Sequence, residues 1–127
     1  MAAPNIVNVS TITGITTWKA GINTEGAGVT VILANAAASS KVLKVNSLTA
    51  AGIGASVDVT VKIHNQAAGA GSSVAIGKTI TVPNKSTLQF IDKSSSIYLQ
   101  EDQSLTAFHT YSAEGSVDVV CSYEEIS

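Results

Sequence analysis

Residues 57–64, VDVTVKIH, alternate apolar and polar side chains without a break. Val57, Val59, Val61 and Ile63 fall on one parity and Asp58, Thr60, Lys62 and His64 on the other. Successive side chains of a β-strand point to opposite faces, so this period of two marks a strand with one face buried and one wet. An amphipathic helix would need apolar residues three and four apart, and no stretch of the chain holds that spacing. The same period returns near the C-terminus, where Val117, Val119, Cys121 and Tyr123 alternate with Asp118, Ser122 and Glu124, Val120 being the apolar exception. Weaker strand patterns cover residues 7–17, 29–34, 42–48, 78–82, 87–91 and 105–111. Turn-forming clusters separate them at 26–28, 50–54, 67–73, 83–85 and 113–115. About eight strands in a chain of 127 residues predict one all-β domain, an antiparallel β-sandwich of the jelly-roll or immunoglobulin-like kind. Its core is expected to hold Val59, Val61, Ile63, Val119 and Cys121. Lys78 is out of place, because it shares a parity with Val74, Ile76, Ile80 and Val82; a strand starting at Lys78 or a kink at Gly77 would free it.

Charged residues make up 13% of the chain, about half the roughly 25% of a typical soluble domain. Mean hydropathy is +0.30. A surface this neutral suits a protein partly covered by other subunits. All seven basic residues are Lys, spread along a chain of net charge −2. Without Arg or a basic cluster, direct nucleic-acid binding is not expected. No apolar run approaches the ~18 residues that cross a bilayer, and Met1 to Asn5 lack the basic and apolar regions of a secretion signal. The single cysteine, Cys121, has no internal disulfide partner and suits synthesis in a reducing cytoplasm.

GAGSSVAIGKT, residues 69–79, invites a phosphate-loop reading. The motif requires a glycine five residues before Gly77, where this chain has Ser72, and a helix after the lysine. Thr79-Ile80-Thr81-Val82-Pro83 reads as a strand instead, and 67–73 as a mobile connection feeding it. His64 on a wet strand face, His109 between Phe108 and Tyr111, and Cys121 on an apolar face are packing residues before they are catalysts. Glu101-Asp102 and Glu124-Glu125 are neighbours that point apart on a strand, so neither makes an acid–base pair. Glu101-Asp102 also reads as a turn whose oxygens are of the type calcium takes. One Cys and two distant His leave no zinc spacing. No catalytic residue, cofactor or metal site is therefore expected.

Two features point to a protein partner. Trp18, the one tryptophan, either plugs an end of the sandwich or anchors an interface. Residues 1–9 form either an extended N-terminal arm or the start of the first strand. As an arm, Pro4 keeps Ala2 to Val9 extended, and Ile6, Val7 and Val9 can enter a partner's groove.

MAAPNIVNVSTITG at the start, KVLKVNSLTA, TVPNKSTLQFIDKSSSIYLQEDQSLTA and the terminal VDVVCSYEEIS resemble small virion structural proteins of tailed phages, especially cyanobacterial ones. The resemblance spans nearly the whole chain and implies a β-sandwich module on the virion. The first expectation is a capsid decoration (cement) protein that binds the major capsid protein and its own copies, as a trimer for instance. The second is a tail, neck or fibre component that contacts the host surface. The family supplies no catalytic residues.

Overall fold

The computed structural model describes residues 10–110 and 112–127. Among the described residues nine strands follow one another: β1 (Ile12–Lys19), β2 (Thr30–Asn35), β3 (Val42–Ile53), β4 (Val57–His64), β5 (Ser73–Val82), β6 (Thr87–Ile91), β7 (Ile97–Leu99), β8 (Gln103–His109) and β9 (Ser116–Ile126). The first sheet runs β1-β9-β3-β6, with β7 also on β3; the second runs β2-β8-β4-β5. All of these pairings are antiparallel.

β6 and β7 lie along successive halves of one edge of β3, at Leu48–Ala51 and Leu43–Val45. They are one strand broken by the 3₁₀ turn Lys93–Ser95, which Asp92 caps. Counted so, the first strand pairs with the last, the second with the penultimate, the third with the sixth and the fourth with the fifth. A ribbon folded on itself in this way is the jelly roll, which decides between the two sandwich paths the sequence allows.

The core lies between the sheets. β3 contributes Leu43, Val45, Leu48 and Ala50, and β9 contributes Val117, Val119 and Cys121; facing them are Leu33, Val57, Val59, Val61, Val82, Leu105 and Ala107. Val45 and Leu48 are three residues apart, so strict alternation would place them on opposite faces. A register shift between Val45 and Ser47 absorbs the extra residue and returns both to the interior. Ile63 sits at the rim of this core, only half-buried.

Several boundaries differ from those the sequence predicts. Of the predicted turn at 50–54, residues 50–53 are strand and the chain turns only from Gly54, at φ +84°. β3 continues to Ile53, and Gly52 is there because the β5–β6 turn lies against it. A Cβ on Gly52 would collide with the Pro83 carbonyl, while Gly52 N donates to Ser86 O and Gly52 O accepts from Lys85 N. β5 starts at Ser73 rather than Lys78. Two register shifts against β4, flanking Val61, together with Thr79 at φ +55°, take Lys78 off the apolar parity. Thr79 N donates to Thr60 Oγ1 at 3.0 Å, which anchors this left-handed residue. β7 is an additional strand, too short and too serine-flanked to carry a pattern. β1 starts at Ile12 and runs to Lys19; residues 7–9 and Tyr111 lie outside the described residues.

Val61→Asp should abolish folding. An unpaired carboxylate in the core costs several kcal/mol, a large share of a typical stability of about 5–15 kcal/mol. Circular dichroism of the variant should show no cooperative melt; a transition within a few degrees of the parent would contradict the core assignment.

Candidate interaction surface

The residues capable of chemistry are dispersed, and most of them are held in structural contacts. His64 points outward from the second sheet, yet it is buried, because the 3₁₀ turn Ala67–Gly69 folds back over that face. Ser104 fixes the turn by accepting from Gly69 N at 2.9 Å and donating to Gln66 O at 2.8 Å. Asp102 accepts from Ala67 N at 3.0 Å. The stretch 67–73, expected to be mobile, is therefore tied down; Asn65 and Ser72 close its base. Gly69, at φ +71°, is required there: a Cβ would press on Val29, Val31 and Thr106. Beneath it His64 Nε2 meets Thr106 Oγ1 at 2.9 Å.

His109 faces the core side of β8, and its Nδ1–H donates to the Thr110 carbonyl at 2.7 Å. Cys121 lies across the core on β9 with no exposed surface, and burial pushes its thiol up to about 12. The phenol of Tyr123 is raised by burial and then by the Glu125 charge. Asp92 is lowered by hydrogen bonds from Ser94 and Ser95, the bonds that cap its turn.

The acidic pairs are likewise structural. Glu101 accepts from Ser40 N and Asp102 from Ala67 N; Glu125 pairs with Lys41 at 2.7 Å and Glu124 with Lys44 at 3.9 Å. Among the described residues no group of three or more His, Cys, Asp or Glu is arranged to hold a metal ion, and no helix is long and apolar enough to cross a membrane. A concavity of about 250 Å³ beside the β4–β5 connection is lined by residues that include Ile63, His64, Gln103 and Ser73, with no acid or lysine. Gly77, which suggested a phosphate loop, lies inside β5, where a Cβ would sit 2.8 Å from the Phe90 ring. It makes room for that ring, and no helix follows it.

Among the described residues, large apolar side chains are exposed on β5 of the second sheet (Val74, Ile76 and Ile80) and on the outer face and free edge of the first. Trp18 is 68% exposed, so it does not plug the sandwich. It stands on β1 opposite Val120 of β9, itself 42% exposed. The same cross-sheet row continues through Thr49 of β3 to Gln89 of β6. The next row is Thr16, Ser122 and Ser47. Neither row contains a charge. Ile12, 55% exposed, ends the same strand. The arm residues Ala2, Pro4, Ile6, Val7 and Val9 lie outside the described residues. Alternation on β9 marked Val120 as anomalous in the sequence; its pairing with Trp18 was hidden, because it depends on register between chain ends.

No protein-family model and no curated protein matches the chain. Among solved structures it is similar to a chain of the Bacillus endospore appendages, which form a family of disulfide-linked pili. The two share 16% identity over 97% of this chain and 95% of that one, with a TM-score of 0.51. At that identity the likeness concerns the fold.

Two outcomes follow from the buried and occupied groups. Up to millimolar ATP, with or without Mg²⁺, should leave the melting temperature unmoved, whereas a bound nucleotide would raise it by mass action. The Cys121 thiol should resist a thiol reagent in the native state and react on unfolding. Because its folded pKa lies above its unfolded value, its contribution is full below pH 9 and fades as pH rises toward about 12. Cys121→Ala should flatten that alkaline part of a pH–stability profile; an unchanged profile would contradict this.

Proposed function

We propose that this chain is a structural subunit without enzymatic activity, and that it works by binding into a repetitive assembly. The observation that carries the reading is Trp18, held 68% exposed beside Val120 in an uncharged row of the outer face, with a second uncharged row through Thr16 next to it. Exposing an indole to water is unfavourable, and tryptophan is the residue most enriched at energetically dominant interface positions. The low overall charge supports the same reading, as does a fold neighbour that comes from a polymer. The assembly we infer is the virion of a tailed phage, following the sequence resemblance. The chain sits on the capsid as a decoration protein, with the major capsid protein and further copies of itself as partners.

A disulfide-linked mode is closed to this chain, whose one thiol is fully buried. Its contacts must be non-covalent, apolar and hydrogen-bonded. The segment Ala2 to Val9 is the proposed capsid contact, adding a strand or filling a groove through Ile6, Val7 and Val9.

Purified capsids lacking the protein should bind the recombinant full chain to saturation and retain it at high salt, since little of the contact is screened. A form lacking residues 2–6 should melt like the parent and fail to bind. Many copies per native particle support placement on the head, and a few copies would move the protein to tail, neck or fibre. Absence from particles would defeat the virion reading.

A further inference from the structure

The jelly roll leaves strand edges at which another chain could pair, and three of them are spoiled. β2 is short and shifts register between Val31 and Leu33. β5 carries two shifts and Lys78. The β6–β7 edge is broken by the turn at Lys93–Ser95. Shifts, charges and interruptions of this kind are how sheets avoid edge-to-edge association. β1 has none of them. Its pairing with β9 runs unbroken from Ile12↔Ile126 to Lys19↔Val119, it contains no proline, and its one charge is the terminal Lys19. Among the described residues it pairs with β9 alone.

We propose that β1 is a homodimer edge, pairing antiparallel with β1 of a second copy about a two-fold axis through Ile15. The inference rests on the reading of the chain as an assembly subunit and names one contact in that assembly.

Backbone direction restricts the register. Thr11 and Ser127 exchange both main-chain hydrogen bonds, at 3.0 and 2.9 Å. In an antiparallel ladder such pairs alternate with pairs whose N–H and C=O groups turn away. Thr13, Ile15 and Thr17 therefore bond toward β9, and Ile12, Gly14, Thr16 and Trp18 present their groups to the open side. A second β1 must meet these groups with the same four residues. Centring the axis on Ile15 does so, setting Ile12 against Trp18 of the other copy and Gly14 against Thr16. Centring it on Gly14 or Thr16 also satisfies the backbone, but leaves either Trp18 or Ile12 facing Ser10 or Ala20 instead of its apolar match.

In the Ile15 register the two exposed apolar side chains of β1 cover one another, twice by symmetry, as an isologous contact requires. Ile12 and Trp18 share the outer face, so the pair is sterically allowed. Gly14 also gains a purpose. Glycine weakens a strand interior and often marks a close approach, and a Cβ at Gly14 would meet nothing within 4 Å in the single chain. Across the axis, Gly14 is diagonal to the incoming indole and leaves room for it.

The test uses the full-length chain. Ile15→Cys places thiols on the axis, in a pair without hydrogen bonds where Cα atoms lie about 4.5 Å apart, a span a disulfide accepts. Mild oxidation should cross-link Ile15→Cys into dimers, while the parent, with Cys121 buried, stays uncross-linked. Adding Thr16→Pro removes an N–H aimed at the open side and none aimed at β9; it should abolish the cross-link and the dimer seen by sedimentation. Trp18→Ser, which alters only an exposed side chain, should weaken dimerisation by about tenfold or more. A parent that stays monomeric at high concentration overturns the proposal. So does a dimer that survives Thr16→Pro and Trp18→Ser without cross-linking at Ile15→Cys, or one that disappears when residues 2–6 are deleted and never cross-links there. Capsid binding and copy number, measured separately, judge the virion reading and do not depend on this result.

Discussion

The pairing of β3 with β9 organises the molecule. β3 occupies the middle of the first sheet and meets β9 from Val42↔Ile126 to Ile53↔Ser116. Its other edge carries β7 and then β6, and β9 in turn carries β1. Every strand of that sheet is thus attached through these two. The same two strands supply Leu43, Val45, Leu48, Ala50, Val117, Val119 and Cys121 to the core. Because side chains alternate, a one-residue error in this register would turn half of that apolar set to water. The bulge at Asn46–Ser47 is therefore a requirement of the fold. It lets two apolar half-strands of opposite parity face one interior, and Asn46 Nδ2 is occupied by the Glu124 carboxylate at 3.1 Å.

Irregularity has a second use in the other sheet. The shifts in β5 and the left-handed Thr79 move Lys78 out of the apolar row, and they also disrupt the ladder a foreign strand would follow. The glycine that allows Phe90 to close over β5 sits among them. One local distortion thus solves a packing conflict and protects a long edge. The regularity of β1 is conspicuous beside it: the chain that spoils its other edges leaves this one intact, with a tryptophan and an isoleucine at its two ends.

Strand content was legible because alternation survives in VDVTVKIH and in residues 117–124, where one strand face is core and the other is not. Legibility failed where a side chain's size served a neighbour distant in sequence. Ala50, Ala51 and Gly52 look like a turn in isolation, yet all three are strand, and Gly52 is small because Pro83 and its turn lie against it. His64 was correctly placed on the polar face, but its burial depends on a loop that returns over the sheet, and nothing within the strand reports that. Trp18 left two readings open in the sequence, since an exposed and a plugging tryptophan share the same local surroundings. Register with Val120 was needed to separate them.

The chemistry that is absent from the surface constrains how such a subunit can hold on. The lone thiol is sealed inside β9, acidic residues near β3 and β8 are spent on turns and ion pairs, and lysines are scattered. Covalent linkage and strong electrostatic capture are therefore poor routes to a stable assembly on the proposed reading. Backbone pairing at an edge, sealed by a few apolar side chains, remains; each such contact is modest alone, because strand addition exchanges bonds to water for bonds to protein. Repetition changes the arithmetic. Once one contact is made, the next forms at an effective concentration set by geometry rather than by bulk solution. A neutral jelly roll with one clean edge and a separate N-terminal segment has the minimum needed for this: two unlike, weak, non-covalent contacts that become strong only when an assembly presents both.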